Sequence, residues 1–131
     1  MEKAGIFTGN GHVRDIVRLA LSEDIGTGDV TTAFVVPAGM RACGRIVAKQ
    51  AGVIAGLPVV RMVFDELDPD IKFLALAHDG QEVLPGQVVA NLEGPAAPLL
   101  TGERVALNFL MHMSGIATAA RAFAARLDGT R

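Results

Sequence analysis

Between Thr101 and Leu127 the chain carries one long helical pattern with apolar side chains on more than one side. Leu107, Leu110, Ala117 and Leu127 mix with Phe109, Met113, Ile116, Ala120, Phe123 and Ala124. A helix of this kind must be buried on several sides or meet another subunit. The rest of the chain therefore has to supply the cover. Ser114-Gly115 interrupts the pattern and predicts a kink or two abutting helices there. With 131 residues, half of them hydrophobic and 20% charged, the chain can bury a core of ordinary size and reads as a single domain over 1–131.

The preceding segments change period repeatedly. Val13, Ile16, Val17, Ala20 and Leu21 share one face of an amphipathic helix over about 12–24, with Asn10 as candidate N-cap and Gly26 and Gly28 as its end. Ser22 to Thr32 reads as an acidic, glycine-bearing turn, in which Asp29, Thr31 and Thr32 oxygens take backbone N–H bonds. Arg45 to Lys49 alternates as a half-buried strand, with Ile46 and Ala48 inward. Gly52 and Gly56 bracket a short apolar run. Pro58 sits in the first turn of a second helix, with Val59, Val60, Val63, Phe64 and Leu67 on its apolar face and Asp68-Pro69-Asp70 as its stop. Ile71 to Leu76 reads as a strand. Asp79-Gly80 and Pro85-Gly86 are turn signals, and together with the alternation at 88–93 they predict a hairpin over 80–94. In it Val88, Ala90 and Leu92 point one way and Val89, Asn91 and Glu93 the other. Pro95 and Pro98 close the sheet region. The order of elements predicts an α+β sandwich, a mostly antiparallel sheet with helices on one face.

Composition removes several function classes. Twelve basic and fourteen acidic residues give a formal charge of −2 without any basic run, which argues against nucleic acid as a partner. Trp and Tyr are absent, so stacking platforms for bases or sugars are not expected. No stretch approaches the roughly 18 apolar residues of a membrane span. The first fifteen residues lack the apolar core of a signal peptide, which predicts a cytoplasmic protein. One cysteine, Cys43, excludes an internal disulfide and a thiolate cluster; it reads as a small buried hydrophobe.

No catalytic set assembles from spacing. His12, His78 and His112 fall in separate elements and read as surface or satisfied histidines. Glu23, Asp24 and Asp29 lack the ligand spacing of a calcium loop, and no metal site is read from the residues. The glycines at 26 and 28 lack the Lys-Ser/Thr of a phosphate loop. The hairpin at 80–94 has the outline of a lipoyl- or biotinyl-carrier domain, yet Lys3, Lys49 and Lys72 are the only lysines and none is near its tip. Arg104, beside Glu103 at the start of the long helix, stands out. It is either a surface arginine paired with a carboxylate or a planar fork for a carboxylate or phosphate ligand.

The runs Leu21 to Thr32 and Gly102 to Thr118, with Gln50 to Gly56, Phe64 to Asp68 and Asp79 to Gly86 between them, resemble quinolinate phosphoribosyltransferase in order and spacing over about 13–127. Val105 stands where that family more often has threonine. The resemblance implies a reaction in which the ring nitrogen of quinolinate attacks C1 of phosphoribosyl pyrophosphate. Pyrophosphate leaves with Mg²⁺ help, and the 2-carboxylate is lost as CO₂, giving nicotinate mononucleotide for NAD biosynthesis. It implies an N-terminal α/β sandwich before a larger α/β barrel that carries most ligands, the metal included. This sequence is expected to be that N-terminal domain, lacking the barrel, with 101–127 leading toward it. The family motif Glu-Arg-Thr-Ala-Leu-Asn falls on Glu103 to Asn108, so the resemblance assigns Arg104 to quinolinate in the neighbouring subunit of a homodimer. His112 and Ser114-Gly115 lie in family-typical blocks and read as packing positions. Two alternatives stay open: the molybdenum-locus paralogue of the family, and a non-catalytic lipoyl-like binding module.

Overall fold

The alternation at Arg45–Lys49 belongs to a longer strand, and that strand organises the sheet. In a computed structural model describing residues 10–23, 30–36 and 40–129, the elements run α1 (Asn10–Glu23), β1 (Val30–Val35), β2 (Arg41–Ala48), β3 (Gly52–Val53), α2 (Leu57–Leu67), β4 (Lys72–Ala75), β5 (Glu82–Val83), β6 (Val88–Pro95) and α3 (Ala96–Gly129). Four strands form an antiparallel sheet in the order β1-β2-β6-β4, and β3 pairs with β5 in a small second sheet. The expected α+β class, an antiparallel sheet with helices on one face, is what the chain adopts. Ile46, Ala90 and Leu92 of the sheet pack with Val60, Val63 and Phe64 of α2, Leu99 and Leu110 of α3, and Val17 of α1. Burying each large apolar side chain contributes roughly 1.5–3 kcal/mol.

Several sequence readings need correction. Val30, Thr31 and Thr32 are strand, not turn: their β-branched side chains suit the pleat, and Thr31 pairs with Val47. The glycine-bearing part of that predicted turn, with Asp24, Gly26, Gly28 and Asp29, lies outside the described residues. Asn10 is the first helical residue of α1, not a residue ahead of it. Cys43 is exposed, because the alternation of β2 carries on upstream of Arg45 and puts it on the outer face with Arg41 and Arg45.

The hairpin over 80–94 does not form as one. Gly80 and Gly86 have φ of 93° and 88°, as their turns require. The strands they border join different sheets: β5 pairs with β3, and β6 lies between β2 and β4. Within β6, Ile46 faces Ala90 while Val47 faces Val88. Val89 is thus the extra residue of a β-bulge, and it turns into the core beside Ala90. Strict alternation resumes only after it, with Leu92 buried and Glu93 exposed.

The long helix starts at Ala96, directly after β6, so Pro98 lies in its first turn rather than closing the sheet. The first four N–H groups of a helix have no intrahelical partner, and proline loses little there. The helix runs through Ser114-Gly115 as one element, not two abutting ones. Ser114 Oγ accepts from the N–H of Ala55 at 2.9 Å and donates to its carbonyl at 3.1 Å. Thr118 Oγ1 accepts from the N–H of Val53 at 2.9 Å. These hydroxyls bind the strand segment 53–55 to the helix, which explains the polar interruption of its pattern.

Candidate functional site

The site is built from the packed end of α3 outward. Gly102 faces α2 so closely that a Cβ there would lie 2.5 Å from Leu67 Cδ1 and 2.9 Å from Phe64 Cε1. Val105, Ala106, Leu107 and Leu110 are buried, and Asn108 is buried among them at 6% exposure. Arg104 projects on the exposed side of this anchored stretch, next to half-buried Glu103. Because α3 begins at Ala96, Arg104 sits more than two turns into the helix rather than one. An always-charged planar group is therefore held out from a rigid element, the arrangement that carboxylate or phosphate recognition needs.

The helix that backs this stretch is fixed at both ends. Asp79, read from sequence as a turn residue, also caps α2: its carboxylate accepts the N–H of Gly56 at 3.0 Å and of Leu57 at 3.1 Å. A carboxylate at a helix N-terminus meets orphan donors and the positive end of the dipole. Gly56 has φ of 110°, and Met113 of α3 lies against it. Near the other end, Glu66 accepts from Arg18 at 2.7 Å and also pairs with Arg14, both on α1. Arg18 first, then Arg14, holds the Glu66 carboxyl below the usual glutamate range, and Glu66 raises Arg18 in return. Spacing alone could not reveal the Asp79 cap or this clasp, since each joins residues more than 20 positions apart.

His12, His78 and His112 are all exposed. Among the described residues no three His, Cys, Asp or Glu side chains stand close enough to hold a metal ion. The described residues do not fit a magnesium site. No helix among the described residues is long and apolar enough to cross a membrane.

Residues 29–114 match the family model for the quinolinate phosphoribosyl transferase N-terminal domain, a span that runs from β1 into α3 and includes Arg104. The chain belongs to this family. A probable nicotinate-nucleotide pyrophosphorylase (carboxylating) of Synechocystis is 50% identical over 105 residues, 79% of this chain and 35% of that protein. A probable enzyme of the same name from Bacillus subtilis is 43% identical over 107 residues, 81% of this chain and 36% of that one. The crystal structure of NadC from Streptococcus pyogenes superposes with a TM-score of 0.74 at 35% identity, covering 87% of this chain and 41% of that chain. The quinolinate phosphoribosyl transferase N-terminal domain described here thus spans about a third of the length of the curated relatives it matches.

Proposed function

We propose that this domain works as the N-terminal part of an enzyme converting quinolinate and phosphoribosyl pyrophosphate to nicotinate mononucleotide, pyrophosphate and CO₂. In this reading the enzyme is a homodimer. A barrel domain holds the magnesium and the phosphoribosyl ligands, and Arg104 reaches quinolinate in the partner subunit's barrel. The observation that carries the reading is the position of the matched Glu103-Arg104 pair, with Arg104 exposed on a helix whose next residues are locked in the core. The chemistry supports it: a dicarboxylate must be gripped by cations, and a guanidinium fork offers two parallel charge-assisted hydrogen bonds.

The test is a mixed dimer. This chain would be fused to the part of the Synechocystis relative beyond the matched region. One fusion carries Arg104→Ala, and the other a disabled barrel. If Arg104 acts in trans, the first chain's working barrel receives arginine from the second, and the mixed dimer regains activity at one site in two. If it acts in cis, no site in the mixed dimer is competent. Inactivity in a dimer shown to form would overturn the trans role.

A further inference from the structure

Gly102 fixes how the start of α3 is turned, because its missing side chain faces Phe64 and Leu67 of α2. Leu100 and Arg104 stand two residues to either side of it, about 200° around the axis at roughly 100° per residue. Both therefore project away from α2, within about 40° of each other. Leu100 is 49% exposed, whereas its neighbour Leu99 is fully buried. Ala97 and Thr101 are the other exposed residues between the start of α3 and Arg104, so Leu100 is the one large apolar group on this side. Residues four apart on a helix have Cβ atoms about 5–6 Å apart. Helical side chains also lean toward the N-terminus, so the surface that a residue at 104 covers lies over the turn holding Leu100. Ala96 follows β6 directly, and the pair is thus carried on a rigid element with no loop before it.

We propose that Leu100 is a specificity-determining residue: it forms an apolar wall for the pyridine ring of quinolinate while Arg104 holds a carboxylate of the same molecule. The inference rests on the role proposed above for Arg104. A carboxylate bonded directly to an aromatic ring brings that ring to the guanidinium with it. A charged fork alone takes any dicarboxylate of suitable spacing, because it reads only the anion. An apolar group one turn away adds a contact that only a ligand with a ring can use. Water leaves the ring face and the leucine methyls together, whereas a ring-free dianion leaves the leucine wet. Since the two residues share a helix, whichever barrel receives Arg104 also receives Leu100.

The experiment is equilibrium binding of three dicarboxylates to the fusion with the barrel. Quinolinate is the first; phthalate keeps the ring and the adjacent carboxylates; maleate keeps the cis carboxylates without a ring and is read by its competition with quinolinate. Leu100→Ala should weaken quinolinate and phthalate by about three- to tenfold and leave maleate within about twofold. Leu100→Gln, which keeps the length but not the apolar surface, should match it. Leu100→Met, which restores apolar surface, should return both aromatic ligands to within about twofold of the parent. Arg104→Ala should weaken all three. A role of Leu100 in the fold or in a subunit contact would weaken the three alike, so the ratio of phthalate to maleate affinity isolates the wall. Thermal midpoints check that each variant is folded. If Arg104→Ala changes none of the three, the reading of Arg104 fails and this inference falls with it. If Arg104→Ala weakens them all while Leu100→Ala weakens none, or weakens maleate as much as phthalate, that reading stands and the inference is overturned.

Discussion

Arg104 and Gly102 lie two residues apart on α3 and should fail in opposite ways. Arg104→Ala, in the fusion with the barrel, should weaken quinolinate binding by roughly 10- to 100-fold, the loss of a charge-assisted pair worth about 1.5–3 kcal/mol. Arg104→Lys should recover only part of that, because an ammonium lacks the planar fork. Equilibrium binding read beside an unchanged thermal midpoint checks both. Gly102→Ala should do the reverse, since its Cβ would meet Leu67 and Phe64. Overpacking of this kind costs about 1–3 kcal/mol, measurable by urea unfolding of the chain alone. Glu66 gives a pH dependence with a definite sign. Its carboxyl titrates lower in the folded chain than in the unfolded one, so its contribution is complete above the ordinary glutamate range near roughly 4.3 and is lost as pH falls through the depressed folded value. Glu66→Gln should therefore flatten the acid side of the stability profile, seen in thermal midpoints between about pH 3 and 6. At this scale the sequence is least informative about roles. An arginine beside a glutamate on a helix surface has the spacing of an ordinary ion pair, and the motif, not the spacing, distinguishes Arg104.

Among the elements, α2 was fully legible because its boundaries are chemical: Pro58 at the start and Asp68 at the stop have conformational preferences of their own. β6 was legible in position but not in facing, because hydrophobic alternation cannot show which of two adjacent valines is the extra residue of a bulge. Its pairing was hidden for a related reason: a turn signal locates a reversal but not the sheet each arm joins. Cys43 is not legible as an outer-face residue from the Arg45–Lys49 alternation alone, because β2 extends upstream of Arg45 through a glycine that carries no side-chain signal. The period of α3 was right over the part that packs, yet its far half tells something different. Ile116, Phe123 and Leu127 are 71%, 61% and 48% exposed, at spacings that place them along one side. We expect this stripe to drive self-association of the chain at high concentration, and Ile116→Glu with Phe123→Glu to abolish it. Static light scattering across a concentration series checks this; a parent chain free of higher species would contradict it.

For the whole molecule, fold class and family were readable from ordered blocks spread along the chain, while the chemistry was not, since only one candidate ligand falls within it. The isolated chain is accordingly expected to release no pyrophosphate from phosphoribosyl pyrophosphate in the presence of quinolinate. A coupled pyrophosphate assay with the purified chain, repeated after further purification to exclude co-purifying enzyme, checks this. The join between β6 and α3 has a bearing on how such a molecule can vary. Pro95 and Ala96 are consecutive members of strand and helix, with no connecting residue. Insertions and deletions in a loop are absorbed locally, but here each would turn everything downstream by about 100° about the helix axis. One added residue would aim Arg104 elsewhere and carry Gly102 away from Phe64. The compass bearing of the arginine is thus set by counting residues from the sheet, so a change of length across this joint would redirect it where a change of side chain would not.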